Sequence, residues 1–273
     1  MHMADPDATE GKEQETTGDA SRRRFLKLLA VGGGLAAAGL FGGKLLLDHV
    51  VVPAGAAPGA SANANDSWVM LIDLNKCDGC GKCTTACQQA HFVPFNQQWI
   101  QVYQVKDEKG GTYFLPRPCF NCRNAPCAKV CPVGATHVEP DGVVLVDHTR
   151  CIGCRYCMAA CPYNARSFNW TEPPHTPQEL AHTYTQTEPW PHHKGVVEKC
   201  MFCAHDARKG QLPECVKGCP MGAIYFGNER EDAVTNGRGQ TLAFRSTLSR
   251  EGGFRWKEEL GTDPRVYYLP VRR

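Results

Sequence analysis

The sequence predicts an α+β fold of two similar small units related by approximate two-fold symmetry, one inserted into the other. Three observations carry that expectation. Sixteen cysteines occur in 273 residues, all between Cys77 and Cys219, in four groups of four. Each group opens C-x2-C and closes C-x3-C. The chain also repeats itself. Leu71-Ile72-Asp73 before the first group matches Leu145-Val146-Asp147 before the third, and C-A-K-V-C-P-V-G-A-T (127–136) matches C-V-K-G-C-P-M-G-A-I (215–224).

Spacing decides what the groups are for. The first, Cys77, Cys80, Cys83 and Cys87, is spaced C-x2-C-x2-C-x3-C. The third, Cys151, Cys154, Cys157 and Cys161, repeats that spacing and ends in Pro162. The second, Cys119, Cys122, Cys127 and Cys131 before Pro132, has a middle gap of four residues. In the fourth, Cys200, Cys203, Cys215 and Cys219 before Pro220, that gap is eleven. The C-x2-C-x2-C-x3-C-P run is the ligand pattern of bacterial ferredoxins, in which three close thiolates hold one cubane and the fourth cysteine reaches its neighbour. That fourth cysteine is expected to open a helix after the loop. Such motifs come in pairs, so four of them give sixteen ligands and four [4Fe–4S] clusters. Disulfides fit badly, because C-x2-C loops close poorly. Zinc accepts C-x2-C pairs, but a zinc-stabilised binding module leaves the triple C-x2-C-x2-C unexplained.

Between Cys131 and Cys151 lies T-H-V-E-P-D-G-V-V-L-V-D, read as a strand, a turn at Glu139-Pro140-Asp141-Gly142 and a second strand. Such a hairpin joins groups two and three in one inserted unit, residues 113–170. Groups one and four are left for an outer unit, residues 65–112 and 197–228. The expected ligand sets are Cys119, Cys122 and Cys127 with Cys161, and Cys151, Cys154 and Cys157 with Cys131. In the outer unit they are Cys77, Cys80 and Cys83 with Cys219, and Cys200, Cys203 and Cys215 with Cys87. Gly134 and Gly222 are expected to turn the backbone after each Cys-Pro, where a short helix hands over to a strand.

The first twenty residues are polar and acidic, with no expected structure. Ser21–Lys27 (S-R-R-R-F-L-K) follows, then Leu28–Gly43 without a charge. Small residues at Ala60-Ser61-Ala62 and Ala62-Asn63-Ala64 suit a signal peptidase. Arg22 and Arg23 in that setting resemble a twin-arginine export signal. Residues 1–64 are therefore read as signal region and linker, the twin-arginine translocase as a partner and the periplasm as the destination. Clusters inserted before export protect the thiols from oxidation there. Phe25–Leu47 is long enough to span a bilayer, which keeps an uncleaved N-terminal anchor open, although Lys27, Lys44 and six glycines weaken it. A formal charge of +2 gives no reason to expect nucleic acid as a partner.

Four such motifs with a stretched gap in the last resemble the iron–sulfur subunits of the dimethyl-sulfoxide-reductase superfamily, over about Trp68–Gly227. The resemblance implies the sixteen cysteines as cluster ligands with the same crossed pairing. It also implies an electron-transfer subunit, no enzyme by itself, between a membrane quinone-site subunit and a periplasmic redox partner in an anaerobic or sulfur-linked respiratory complex. The alternative is the electron-transfer subunit of a molybdopterin oxidoreductase of the tetrathionate, polysulfide or dimethyl-sulfoxide reductase type. Arg150–Trp170 is similar to exported members found with a multi-spanning, quinone-interacting membrane subunit, among them those of alternative complex III and the DsrMKJOP complex. Met70–Leu74 is similar to the electron-transfer subunit of tetrathionate reductase. The other partner implied is a cytochrome c or a molybdopterin catalytic subunit. The chain departs from the pattern where Gln88 replaces the proline after a closing cysteine, which is expected to loosen the backbone at Cys87. Moreover, nothing after Gly227 is apolar enough to span a membrane.

Around the ligands, Arg117, Arg123, Arg155 and Arg166 are candidates to raise cluster potentials, with about half expected to be solvated or ion-paired. Phe120, Tyr156, Met201 and Phe202 are expected to shield the ligand loops from water. Residues 171–196, with His175, His182, His192, His193 and Trp190, read as a docking loop for a partner. Residues 229–273, with Phe254, Trp256, Tyr267 and Tyr268, read as a C-terminal extension lying on a partner or on the outer unit.

Overall fold

The computed structural model describes residues 62–106 and 110–272; the twin-arginine segment and the apolar stretch after it lie outside the described residues. In chain order the elements are β1 (Trp68–Asp73), α1 (Lys82–Ala90), β2 (Ile100–Lys106), β3 (Thr112–Pro118), α2 (Pro126–Lys129), β4 (Thr136–Val138) and β5 (Val144–Val146). There follow α3 (Tyr156–Ala159), β6 (Ser167–Phe168), α4 (Pro177–Leu180), β7 (Val197–Glu198), α5 (Ala204–Ala207), α6 (Glu214–Lys217) and β8 (Ile224–Asn228). The chain ends with β9 (Ala233–Asn236), β10 (Thr241–Ala243), α7 (Phe244–Glu251) and β11 (Val266–Leu269). The α and β elements are mixed along the chain.

β1 is a continuous apolar run, as a strand covered on both faces should be. It lies in a five-stranded sheet of order β10-β9-β8-β1-β11, antiparallel to β8 and parallel to β11. Its Met70 and Ile72 join the main core, which contains most of the cysteines, whereas Val69 and Leu71 pack with Tyr225, Val234, Phe244 and Leu269 on the opposite face. Three of those strands come from the C-terminal extension, which lies on its own chain. Sequence patterning does not reveal them, because β9 and β10 are short and polar and β11 is four residues long.

The expected hairpin is present as β4 and β5, antiparallel and joined through Glu139–Gly142. Gly142 stands at φ +80, its N–H donates to the Glu139 carbonyl (2.8 Å), and an added Cβ there would collide with the Arg265 guanidinium. β8 and β1 reproduce the pairing at a distance. Thr136 pairs with Val146, and Ile224 with Ile72, each five residues from the nearest cysteine of its group. Correspondingly, Asp147 N–H donates to Ala135 O and Asp73 N–H to Ala223 O, both at 2.8 Å.

Residues 171–196 fold inward. β6 pairs with β7 across this segment. α4 begins with Pro177 behind Thr176, whose hydroxyl accepts from Glu179 N–H (3.1 Å). Trp190, His192, Glu179 and Val196 are buried within the chain.

Candidate cluster sites

The four C-x2-C turns share a backbone feature. The residue before the second cysteine lies in the left-handed region in each: Gly79 (φ +78), Asn121 (+41), Gly153 (+66) and Phe202 (+56). Glycine and asparagine adopt it readily, an aromatic residue seldom does. Phe202 is held there by burial at 1 % exposure and an edge-on contact with Phe226, ring centroids 5.6 Å apart. The turn has a chemical consequence. In three groups the N–H of that residue faces the first cysteine sulfur and counters the rise that burial gives its thiol: Gly79 for Cys77, Asn121 for Cys119 and Phe202 for Cys200.

Closing cysteines differ from expectation. They follow a short helix rather than open one: Cys131 follows α2, Cys161 follows α3 and Cys219 follows α6. The cause is the next residue, since proline disfavours helical geometry at the position before it. Gln88 lacks that effect. α1 therefore runs on to Ala90 with Cys87 inside it, and Gln88 donates to the Gln97 carbonyl (2.8 Å). The backbone at Cys87 is extended as helix, not loosened. Gly134 (φ +62) and Gly222 (φ +61) make the expected turns.

This geometry gathers twelve cysteines around three cavities. The first is lined by Cys77, Cys80, Cys83 and Cys219. A second is lined by Cys119, Cys122, Cys127 and Cys161. The third is lined by Cys87, Cys200, Cys203 and Cys215. Identical donor sets suit one kind of guest. Each cavity takes three thiols from one group and the closing thiol of another, because α1 packs on α6 and α2 on α3. Gly218 permits the first contact: a Cβ there would meet Ala86 at 2.5 Å. Of the remaining four, Cys157 is buried in α3 and Cys131, Cys151 and Cys154 are partly exposed.

The donor set is all sulfur, which favours iron–sulfur or zinc over hard cations. Burial pushes the thiols of Cys83 and Cys122 up to about 12 and that of Cys119 to about 11, and those of Cys87, Cys203 and Cys215 well above the usual value. Four such sulfurs become thiolates together only with a cationic guest. Cys131 behaves differently. Burial raises it, but the N–H groups of Thr136, Val133, Ala135 and Gly134 outweigh that and draw it below the usual value.

Of the four arginines, Arg166 alone meets ligand sulfurs. It is buried, donates to the Thr136 hydroxyl (3.3 Å), and its charge favours the thiolate of Cys157 and is favoured by Cys127 and Cys157 in turn. Arg123 pairs with Glu229 and Asp263, Arg117 lies over the Tyr103 ring and Arg155 over that of Trp170. Phe120, Met201 and Phe202 shield their loops, whereas Tyr156 is 62 % exposed. Other contributors were not legible in the spacing. The Thr262 hydroxyl faces Cys122 and counters the rise that burial gives its thiol. Buried Lys199 donates to the carbonyls of Val144 and Cys200, and Asn121, fully buried, reaches the carbonyls of Cys119 and Cys200 (3.4 and 3.3 Å). The Lys199–Asn121 node thus joins the loops of the second and third cavities. His91 Nε2 lies 3.0 Å from Cys203 Sγ.

Comparison with known proteins accords with this chemistry. Two models of a 4Fe-4S dicluster domain match, one over residues 111–176 and 183–229 and the other over 76–135. A selenate reductase subunit of Mesobacillus selenatarsenatis is 39% identical over 226 residues, covering 74% of this chain and 71% of that protein. The menaquinone reductase iron-sulfur cluster-binding subunit of Nitratidesulfovibrio vulgaris is 39% identical over 242 residues, 75% of this chain and 89% of the relative. A tetrathionate reductase subunit of Salmonella typhimurium is 33% identical over 257 residues, 92% and 88% respectively. The chain belongs to the 4Fe–4S dicluster family, as an electron-transfer iron–sulfur subunit of the dimethyl-sulfoxide-reductase type.

Proposed function

We propose that the chain carries four [4Fe–4S] clusters as a wire between a membrane quinone-interacting subunit and a catalytic partner. The ligand sets are those expected: Cys77, Cys80, Cys83 with Cys219; Cys200, Cys203, Cys215 with Cys87; Cys119, Cys122, Cys127 with Cys161; Cys151, Cys154, Cys157 with Cys131. When bound, each cluster supplies a one-electron couple between its 2+ and 1+ states. The protein's part is to hold the sulfurs, exclude water and set the local charge.

One observation carries the reading: three cavities each combine three cysteines of one group with the closing cysteine of another. The equal registers of β1–β8 and β4–β5 support two ferredoxin-like units with approximate two-fold symmetry. In that arrangement residues 113–170 are inserted within an outer unit of 65–112 and 197–228. The relatives' names favour a reductase-type catalytic partner, molybdopterin-dependent as in that superfamily, over a cytochrome c. Export by the twin-arginine route, and hence a periplasmic site, rests on Arg22 and Arg23 in their sequence setting. Residues 171–196 serve as partner docking surface on their exposed side, where Leu180 stands open, next to the exposed Trp170 that precedes them.

Anaerobic purification of the full chain tests the count. About sixteen irons and as many acid-labile sulfides per chain are expected, four of each per cluster. A value near eight after reconstitution, or zinc in place of iron, overturns it.

A further inference from the structure

His91 belongs to no cysteine motif, yet it is 1 % exposed and lines the cavity of Cys87, Cys200, Cys203 and Cys215. Its backbone N–H donates to the Cys87 carbonyl (3.1 Å), and its Nε2 faces Cys203 Sγ at 3.0 Å. One residue therefore touches two of the four cysteines. The ring is caged by Trp99 (5.8 Å), Trp190 (5.5 Å) and His205 (5.4 Å), centroid to centroid. Its carbonyl accepts from His192 Nε2 (2.8 Å), and His192 Nδ1 meets the buried Glu198 carboxylate at 2.6 Å. Such a shell fixes the direction of the imidazole edge.

We propose that His91 sets the reduction potential of the cluster at this site through an Nε2–H···S hydrogen bond to Cys203. The inference rests on Cys203 being a cluster ligand. A ligating thiolate can only accept, so Nε2 must carry the proton. Nδ1 is buried without a hydrogen-bond partner among the described residues, which suits a bare lone pair in a neutral ring. A donor at the sulfur stabilises the more negative, reduced state over the oxidised one, and so raises the potential. His91 is a positioning residue: it acts through Cys203 and carries no electron. The helix makes the placement, because α1 continues past Cys87 only where proline is absent at 88.

The full chain with its clusters intact is titrated potentiometrically and followed by EPR. His91→Phe keeps a ring in the cage and loses the donor. One signal should become about tenfold less reduced at a fixed potential, a fall of about 59 mV for a one-electron couple, with the other signals unmoved. His91→Gln restores an N–H and should recover most of the shift. Equal shifts in both variants, or none in His91→Phe, overturn the proposal. Wild-type protein labelled with 15N-histidine gives an independent reading, since hyperfine coupling from a histidine nitrogen to one reduced cluster is expected and its absence counts against the hydrogen bond. Iron content of the wild type judges the four-cluster reading separately.

Discussion

At the scale of single residues, buried cations facing sulfur matter most. Arg166 is buried against Cys127 and Cys157, which belong to two different proposed ligand sets. Its charge acts on both, so Arg166→Gln should lower two of the EPR-detected potentials together and leave the rest in place. Potentiometric titration of the variant beside the wild type checks this. Lys199 has a different part. It donates to carbonyls of β5 and of the fourth group's loop, fastening the two together. Lys199→Met strands buried acceptors and should cost roughly 1–3 kcal/mol, read as a lower thermal midpoint with iron content unchanged at room temperature.

Elements show what spacing could and could not reveal. The hairpin of β4 and β5 was legible because Pro-Asp-Gly between two valine-rich runs has a local meaning. Cysteine spacing likewise suggests the crossed sets proposed above, and three of them line one cavity each. β9, β10 and β11 had no such signature; they form because β8 and β1 offer edges to pair with. The helix through Gln88 runs against expectation because losing a proline reads as losing a constraint, while here it permits three more helical residues. Gly153 illustrates a demand invisible to spacing alone. It sits at φ +66, and a Cβ there would run into the Gly195 carbonyl, where the 171–196 segment returns to the third group's loop. Gly153→Ala should destabilise by about 1–3 kcal/mol from the backbone alone, seen as faster proteolysis within 171–196.

At the scale of the whole molecule, the described residues form two cores of unequal dependence on metal. The main one is interleaved with cysteines, whereas Val69, Leu71, Tyr225, Val234, Phe244 and Leu269 enclose none. Anaerobic removal of iron should therefore abolish amide protection in α1, α2, α3 and α6 while much of it survives in β1, β8 and β9. Hydrogen exchange with mass spectrometry distinguishes that from uniform loss. The sheet also has an implication for how the chain is made. β1, which precedes every other described strand, finds its described neighbours in β8 and β11, so Met70 waits for Val266. Cys77 likewise waits for Cys219. Synthesis order and closure order run in opposite directions: β1 is sealed only when β11 arrives, and the outer sites cannot be completed before Cys219 has emerged.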